Sequence, residues 1–201
     1  MNVSDMPVKA EETQSHRNFY YPPGGLLMWI VILLELLTFG IAIVIMLYYA
    51  GEERALFHTS AAKLNRTIGS VNTVVLLTSG YCMARCVGLF RTGTIKQSDR
   101  QLLYALMAGM VFLTLKSVEY GQKAAEGLTL GENTFFDFYW MLTGFHVIHV
   151  IIGMVILIYW KTTRSRRTDE EAMQHLEAGA AFWHLCDLIW LLLFPVLYLI
   201  F

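Results

Sequence analysis

Residues 177–198 read E-A-G-A-A-F-W-H-L-C-D-L-I-W-L-L-L-F-P-V-L-Y. A helix crossing a bilayer needs about 20 predominantly apolar residues, and this stretch has that length. It also carries Glu177, His184 and Asp187, ionisable groups that a helix facing lipid on all sides would not hold. Such a segment is predicted to cross the membrane with one face turned toward other polar groups. The rest of the chain has to supply them.

Composition agrees with a membrane setting. Hydrophobic residues make up 56% of the 201 positions and the mean hydropathy is +0.49, above the roughly 45–50% apolar content of soluble domains. The formal net charge of −1 gives no electrostatic basis for binding nucleic acid. Cys82, Cys86 and Cys186 lie in apolar runs without a zinc spacing and are expected to pack as reduced thiols. Residues 1–24 are polar and lack an apolar leader core, so a polar tail without a cleaved leader is expected there.

Five apolar segments, 25–50, 68–90, 102–124, 134–160 and 178–201, predict an all-α integral membrane domain of five transmembrane helices over residues 25–201. Connectors 51–67, 91–101, 125–133 and 161–175 are too short for a soluble domain. Lys9, Arg17, Arg91, Lys96, Arg100, Lys161, Arg164, Arg166 and Arg167 fall on one side, against Arg54, Lys63, Arg66 and Lys123 on the other. The positive-inside bias therefore predicts a cytoplasmic N-terminus and an outside C-terminus. Gly80, Ala84 and Gly88, and likewise Ala105 and Gly109, repeat every four residues and predict close helix contacts. Tyr139 and Trp140, with similar aromatic pairs at other span ends, are expected to anchor at the interface.

Helical rise places Glu35, His146, His149, His184 and Asp187 at comparable depths from the cytoplasmic ends of their spans, in one mid-membrane layer. His146 and His149 are three residues apart, as are His184 and Asp187, so each pair shares a helix face. At least about 2.5–3.5 kcal/mol per ionisable group at the bilayer centre argues against lipid exposure. Three uses compete. The donor atoms suit a metal, but the spacings lack the H-x-x-x-H and E-x-x-H patterns of bundle metal sites. Glu35, alone in a long apolar span, suits a proton path, or a neutral carboxyl hydrogen-bonded to a His or Tyr of a neighbouring helix. The remaining use is structural, with imidazoles and carboxylates tying helices together.

Lys116 and Glu119, near the outer end of the third span, are expected to form an interfacial ion pair with the lysine snorkelling. Arg85 is positioned either to snorkel to the cytoplasmic interface or to hold a lipid phosphate.

The blocks Asn72-Thr73, Glu119-Tyr120, T-G-F-H-V-I-H-V-I-I-G at 143–153 and E-A-G-A-A-F-W-H-L-C-D-L-I-W-L-L-L-F at 177–194 resemble subunit III of the haem-copper oxidases. The chain looks like the five-span form, without the two further N-terminal helices of seven-span members. That form occurs in bacterial quinol oxidases, some cytochrome c oxidases and a protein associated with nitric oxide reductase. Phe182-Trp183-His184 departs from the family's Trp-Tyr-Trp-His, and Pro195 in the last turns is closer to the nitric-oxide-reductase branch.

The resemblance implies a non-catalytic subunit in a bacterial plasma membrane, with no haem, copper or other cofactor of its own. It implies packing against subunit I, the neighbourhood of subunit II and smaller subunits, bound phospholipid between helices, and support for proton uptake. Glu35 matches the family's buried span carboxylate, and Glu177, His184, Asp187, Trp190, His146 and His149 match its polar positions. An autonomous ion or proton carrier is the contrasting class; internal repeats and broken helices, which a carrier would show, are not evident in the sequence.

Overall fold

A computed structural model describes residues 25–201; the expected polar tail lies outside the described residues. Six α-helices follow in order: α1 Leu26–Glu52, α2 Arg54–Ala61, α3 Arg66–Arg91, α4 Ile95–Ala125, α5 Thr134–Thr163 and α6 Asp169–Tyr198, with a 3-10 turn at Arg164–Arg166 before the last. Five of them are long and apolar enough to cross a membrane, α2 being the exception. The expected all-α five-span bundle is therefore present.

Local chemistry sets the ends. Asn65 caps α3 by accepting from the Ile68 amide at 3.1 Å, and Asn133 caps α5 by accepting from Phe136 at 3.0 Å. Thr168 and Glu171 form a reciprocal capping box at α6, with three acidic residues in its first turn complementing the helix dipole. Gly93 closes α3 at φ 74°, a left-handed turn that lets the Thr94 amide reach back to the Leu89 carbonyl at 2.9 Å.

Helix limits differ from expectation in three places. α6 starts at Asp169 instead of 178, because the capping box nucleates it in the charged connector. α4 starts at Ile95 instead of 102, and its first turns are held by Asp99, which pairs through both oxygens with Arg164 beyond the end of α5. Within the connector expected at 51–67 lies α2, whose Phe57 is fully buried against Phe135 and Phe201.

α3 and α4 form an antiparallel hairpin, and α6 packs between α3 and α5. α6 is the most enclosed span and α1, which rests on α5 and α6, the least. Gly80 and Gly109 make close approaches. A Cβ at Gly80 would collide with the Asp187 carboxylate, and one at Gly109 would stand 2.8 Å from the Trp183 ring. Ala84 and Gly88 do not join the α3–α4 contact; both are exposed. The hairpin is instead tied by Ser79, which donates to the Ala105 carbonyl at 2.8 Å, and by Ser98, which donates to the Cys86 carbonyl at 2.9 Å. Cys82, Cys86 and Cys186 are free thiols.

Candidate functional site: polar groups inside the bundle

Each span brings polar side chains inward because in lipid they have no water to bond. Across the middle of the bundle they tie helix to helix. The Trp183 indole N–H of α6 donates to Ser79 Oγ of α3 at 3.0 Å, and Ser79 donates to the Ala105 carbonyl of α4 at 2.8 Å. About two turns further along α6, Trp190 donates to Thr73 Oγ1 at 2.9 Å.

Deeper toward the end opposite the α6 N-terminus, Lys116 of α4 is enclosed. Its ammonium stands 3.1 Å from Glu119 Oε2 and donates to the hydroxyls of Tyr139 on α5 at 3.3 Å and Tyr198 on α6 at 2.9 Å. Tyr198 in turn donates to Glu119 Oε1 at 2.6 Å. The same ammonium lies within 4.7–5.5 Å of the ring centres of Tyr139, Tyr120, Trp190 and Tyr198, so ring quadrupoles take over part of the role of water.

The expected snorkelling of Lys116 is thus corrected. The pair forms, but its side chains are 1% and 0% exposed. α4 continues past it to Ala125, and two tyrosines from other helices close over it. Tyr139, expected as an interfacial anchor, is fully buried for the same reason, as a ligand of the lysine.

Glu35 of α1 meets His149 of α5, with Oε2 and Nε2 3.2 Å apart. His149 Nδ1 lies 2.8 Å from the Phe145 carbonyl, which can only accept, so the ring's first proton sits on Nδ1. Nε2 is left facing the Glu35 carboxyl at contact distance but outside hydrogen-bond geometry, Oε2 having no hydrogen-bond partner among the described residues. Of the two alternatives for Glu35, the neutral carboxyl has a histidine beside it but is not hydrogen-bonded to it.

The other predicted residues do not gather at that point. His146 is fully buried, stacked on Trp190 with ring centres 5.4 Å apart and edge-on to Phe112 at 5.6 Å. His184 Nδ1 lies 3.3 Å from Asp187 Oδ2 beside Gly80. Two placements correct the expected buried layer. The His184 side chain is 44% exposed, because it points outward from an α6 face that no helix covers among the described residues. Glu177 lies nearer the N-terminal end of α6, 2.7 Å from Arg91, seven residues before His184 and therefore about two turns along α6. Arg85 is exposed, with Nη1 3.4 Å from the Tyr81 hydroxyl.

Sequence reasoning missed Tyr139, Tyr198, Ser79 and Asn72 as members of the interior. Asn72 is fully buried, and its amide has no hydrogen-bond partner among the described residues. Its position within the second apolar segment, about two turns into α3, was the available signal. Among the described residues no group of three or more His, Cys, Asp or Glu side chains is arranged to hold a metal. Between α1 and α5 runs an apolar groove of about 410 Å³, lined by Phe39, Ala42, Phe138, Met141 and Phe145.

A profile of the family cytochrome c oxidase subunit III matches residues 61–200, which takes in α3 to α6. Cytochrome c oxidase subunit 3 of Pyricularia grisea is 33% identical over 134 residues, 64% of this chain and 47% of that protein. The corresponding protein of Synechocystis is 26% identical over 140 residues, 69% of this chain and 59% of its own length. Heme-copper oxidase subunit I+III of Aeropyrum pernix is 25% identical over 180 residues, 86% of this chain and 22% of that protein. The chain spans about half the length of the cytochrome c oxidase relatives it matches.

Proposed function

The chain belongs to the cytochrome c oxidase subunit III family, and from that premise we propose that it is a non-catalytic subunit of a haem-copper terminal oxidase in a bacterial plasma membrane. The observation that carries this reading is the family match across α3 to α6. Oxygen reduction takes place in subunit I, which holds the haem and copper, and this chain packs against it. The Aeropyrum pernix relative, whose name joins subunits I and III in one polypeptide, supports that association. Subunit II and smaller subunits complete the complex.

Within the complex the bundle does two further things. Its α1–α5 groove, lined by Phe39, Phe138 and Phe145, accepts a phospholipid acyl chain. Glu35 and His149, 24% and 8% exposed, hold a proton that supports uptake into the neighbouring subunit, with the N-terminus cytoplasmic.

The test compares the assembled oxidase with Glu35→Ala and with a preparation depleted of this chain. Both are expected to keep the haem spectrum and most oxygen consumption. The initial rate falls less than about tenfold, a barrier change under about 1.4 kcal/mol, while proton uptake slows. Loss of oxygen reduction in a fully assembled Glu35→Ala complex would overturn the proposal.

A further inference from the structure

The apolar groove between α1 and α5 does not end in apolar residues. Through Phe138 and Met141, which line both, it continues into a second hollow of about 290 Å³ whose other walls are Tyr49, Thr134 and Asp137. Thr38 and Tyr49 on α1 are eleven residues apart, as are Thr134 and Phe145 on α5, so the joined hollow runs about 16 Å along the helices. A hydrocarbon core is about 30 Å thick. The hollow therefore has the depth of one leaflet, with its mouth at the α5 N-terminal end.

Its two ends differ in chemistry. At the inner end the Thr38 hydroxyl is engaged by its own helix, donating to the Leu34 carbonyl at 2.8 Å, and the remaining walls are apolar. At the mouth stands the Asp137 carboxylate, whose Oδ1 accepts from the Gly131 amide at 2.6 Å. Asp137 forms no ion pair among the described residues, and its second oxygen is left to offer. The rings of Tyr49 and Phe138, 6.0 Å apart, share the same hollow.

These groups define their complement. A carboxylate without a counter-ion, set among aromatic rings, attracts a cation both by its charge and through the ring quadrupoles. No Lys, Arg or His lines either part of the hollow, so an anionic headgroup would meet Asp137 with nothing to offset the repulsion. The hydroxyls of Thr134 and Tyr49 are donors suited to a phosphate oxygen. An acceptor for an ammonium, donors for a phosphate and an apolar trough one leaflet deep match a zwitterionic phospholipid. A transmembrane helix fits less well, because its length of about 30 Å would find a groove along only half of it.

We propose that the mouth of the α1–α5 groove is a headgroup site for a phospholipid ending in an ammonium, of the phosphatidylethanolamine class, and that Asp137 selects it. This rests on the acyl-chain reading of the groove given above, and adds the headgroup, the leaflet and the selecting residue. With the N-terminus cytoplasmic, the leaflet is the outer one.

The experiment exchanges the assembled complex, purified through a tag on this chain, into nanodiscs holding equal parts of phosphatidylethanolamine and phosphatidylglycerol. Lipids that remain after detergent washing are counted by mass spectrometry, and haem absorbance verifies assembly of each variant. Ala42→Trp fills the groove, so the lipid present in the unmodified complex and missing from this variant is the one held there; it is expected to be phosphatidylethanolamine. Asp137→Asn keeps an acceptor for the Gly131 amide, and is expected to lower the retained ratio of phosphatidylethanolamine to phosphatidylglycerol in the groove by about three- to tenfold, the range of one interfacial charge contact. Asp137→Lys is expected to reverse the preference. A groove lipid whose headgroup ratio is unchanged by Asp137→Asn, or one that is phosphatidylglycerol in the unmodified complex, would overturn the headgroup site and leave the acyl groove standing. Equal lipid retention in the unmodified and Ala42→Trp complexes would overturn both.

Discussion

Glu119→Leu is expected to lower the stability of the bundle by about 3–5 kcal/mol, the cost of leaving a buried charge without its partner. Lys116 has no route to water in the structure, with 1% of its side chain exposed. The substitution also removes the acceptor of the Tyr198 hydroxyl at 2.6 Å, so the ammonium loses its counter-charge and the hydroxyl its acceptor in one change. Unfolding in mixed micelles of rising dodecyl sulfate content measures the loss. Lys116→Met with Glu119→Leu removes both charges, and the double variant is expected to be less destabilised than the sum of the two single variants. Additive losses would show that the two charges do not depend on each other.

Trp183→Ala carries the second large effect, because four helices meet at this side chain. The ring is 1% exposed and sits where Gly109 of α4 and Gly153 of α5 make room, their Cβ positions 2.8 and 3.0 Å from its atoms. Its N–H bonds Ser79 of α3. In a membrane the lost burial is not a transfer from water, so the penalty comes from forfeited dispersion contacts and the hydrogen bond, together about 2–4 kcal/mol. Trp183→Phe keeps much of the packing and loses the bond, for about 1 kcal/mol. The same micelle titration checks both. A loss for Trp183→Ala no greater than that for Trp183→Phe would mean that the glycine-lined slot is not held open by the ring.

The helical content and the count of spans were legible because apolar length is a local property: about 20 residues of hydrocarbon character report a crossing without reference to any other segment. Glu35 stood out in the sequence for the same reason, and the structure leaves it 24% exposed, only partly buried. Its partner His149 lies more than a hundred residues away, and depth along the helices was enough to put the two at one level. Direction around the helix was not readable to the same degree. Ala84 and Gly88 share the spacing of Gly80 but drift off its contact, because 3.6 residues per turn do not divide evenly into steps of four. His184 shares a face with Asp187, yet one ring is half exposed and the other side chain is enclosed.

The Lys116 site illustrates the same limit. Lys116 and Glu119 are neighbours in sequence, and their pairing was readable from a three-residue spacing. What turns an interfacial pair into an interior one is Tyr139 and Tyr198, at 23 and 82 residues' separation. A tyrosine near a span end has the same local signature whether it anchors at the headgroups or turns inward to a buried cation.

Isolation of the affinity-tagged chain from native membranes in mild detergent tests the central claim most directly. A haem- and copper-bearing oxidase subunit should co-purify in equal amount and carry all of the haem absorbance and oxygen consumption, while the chain separated from it carries neither metal nor haem. A stable, haem-free chain that purifies alone and moves protons or ions across a vesicle membrane would contradict the account.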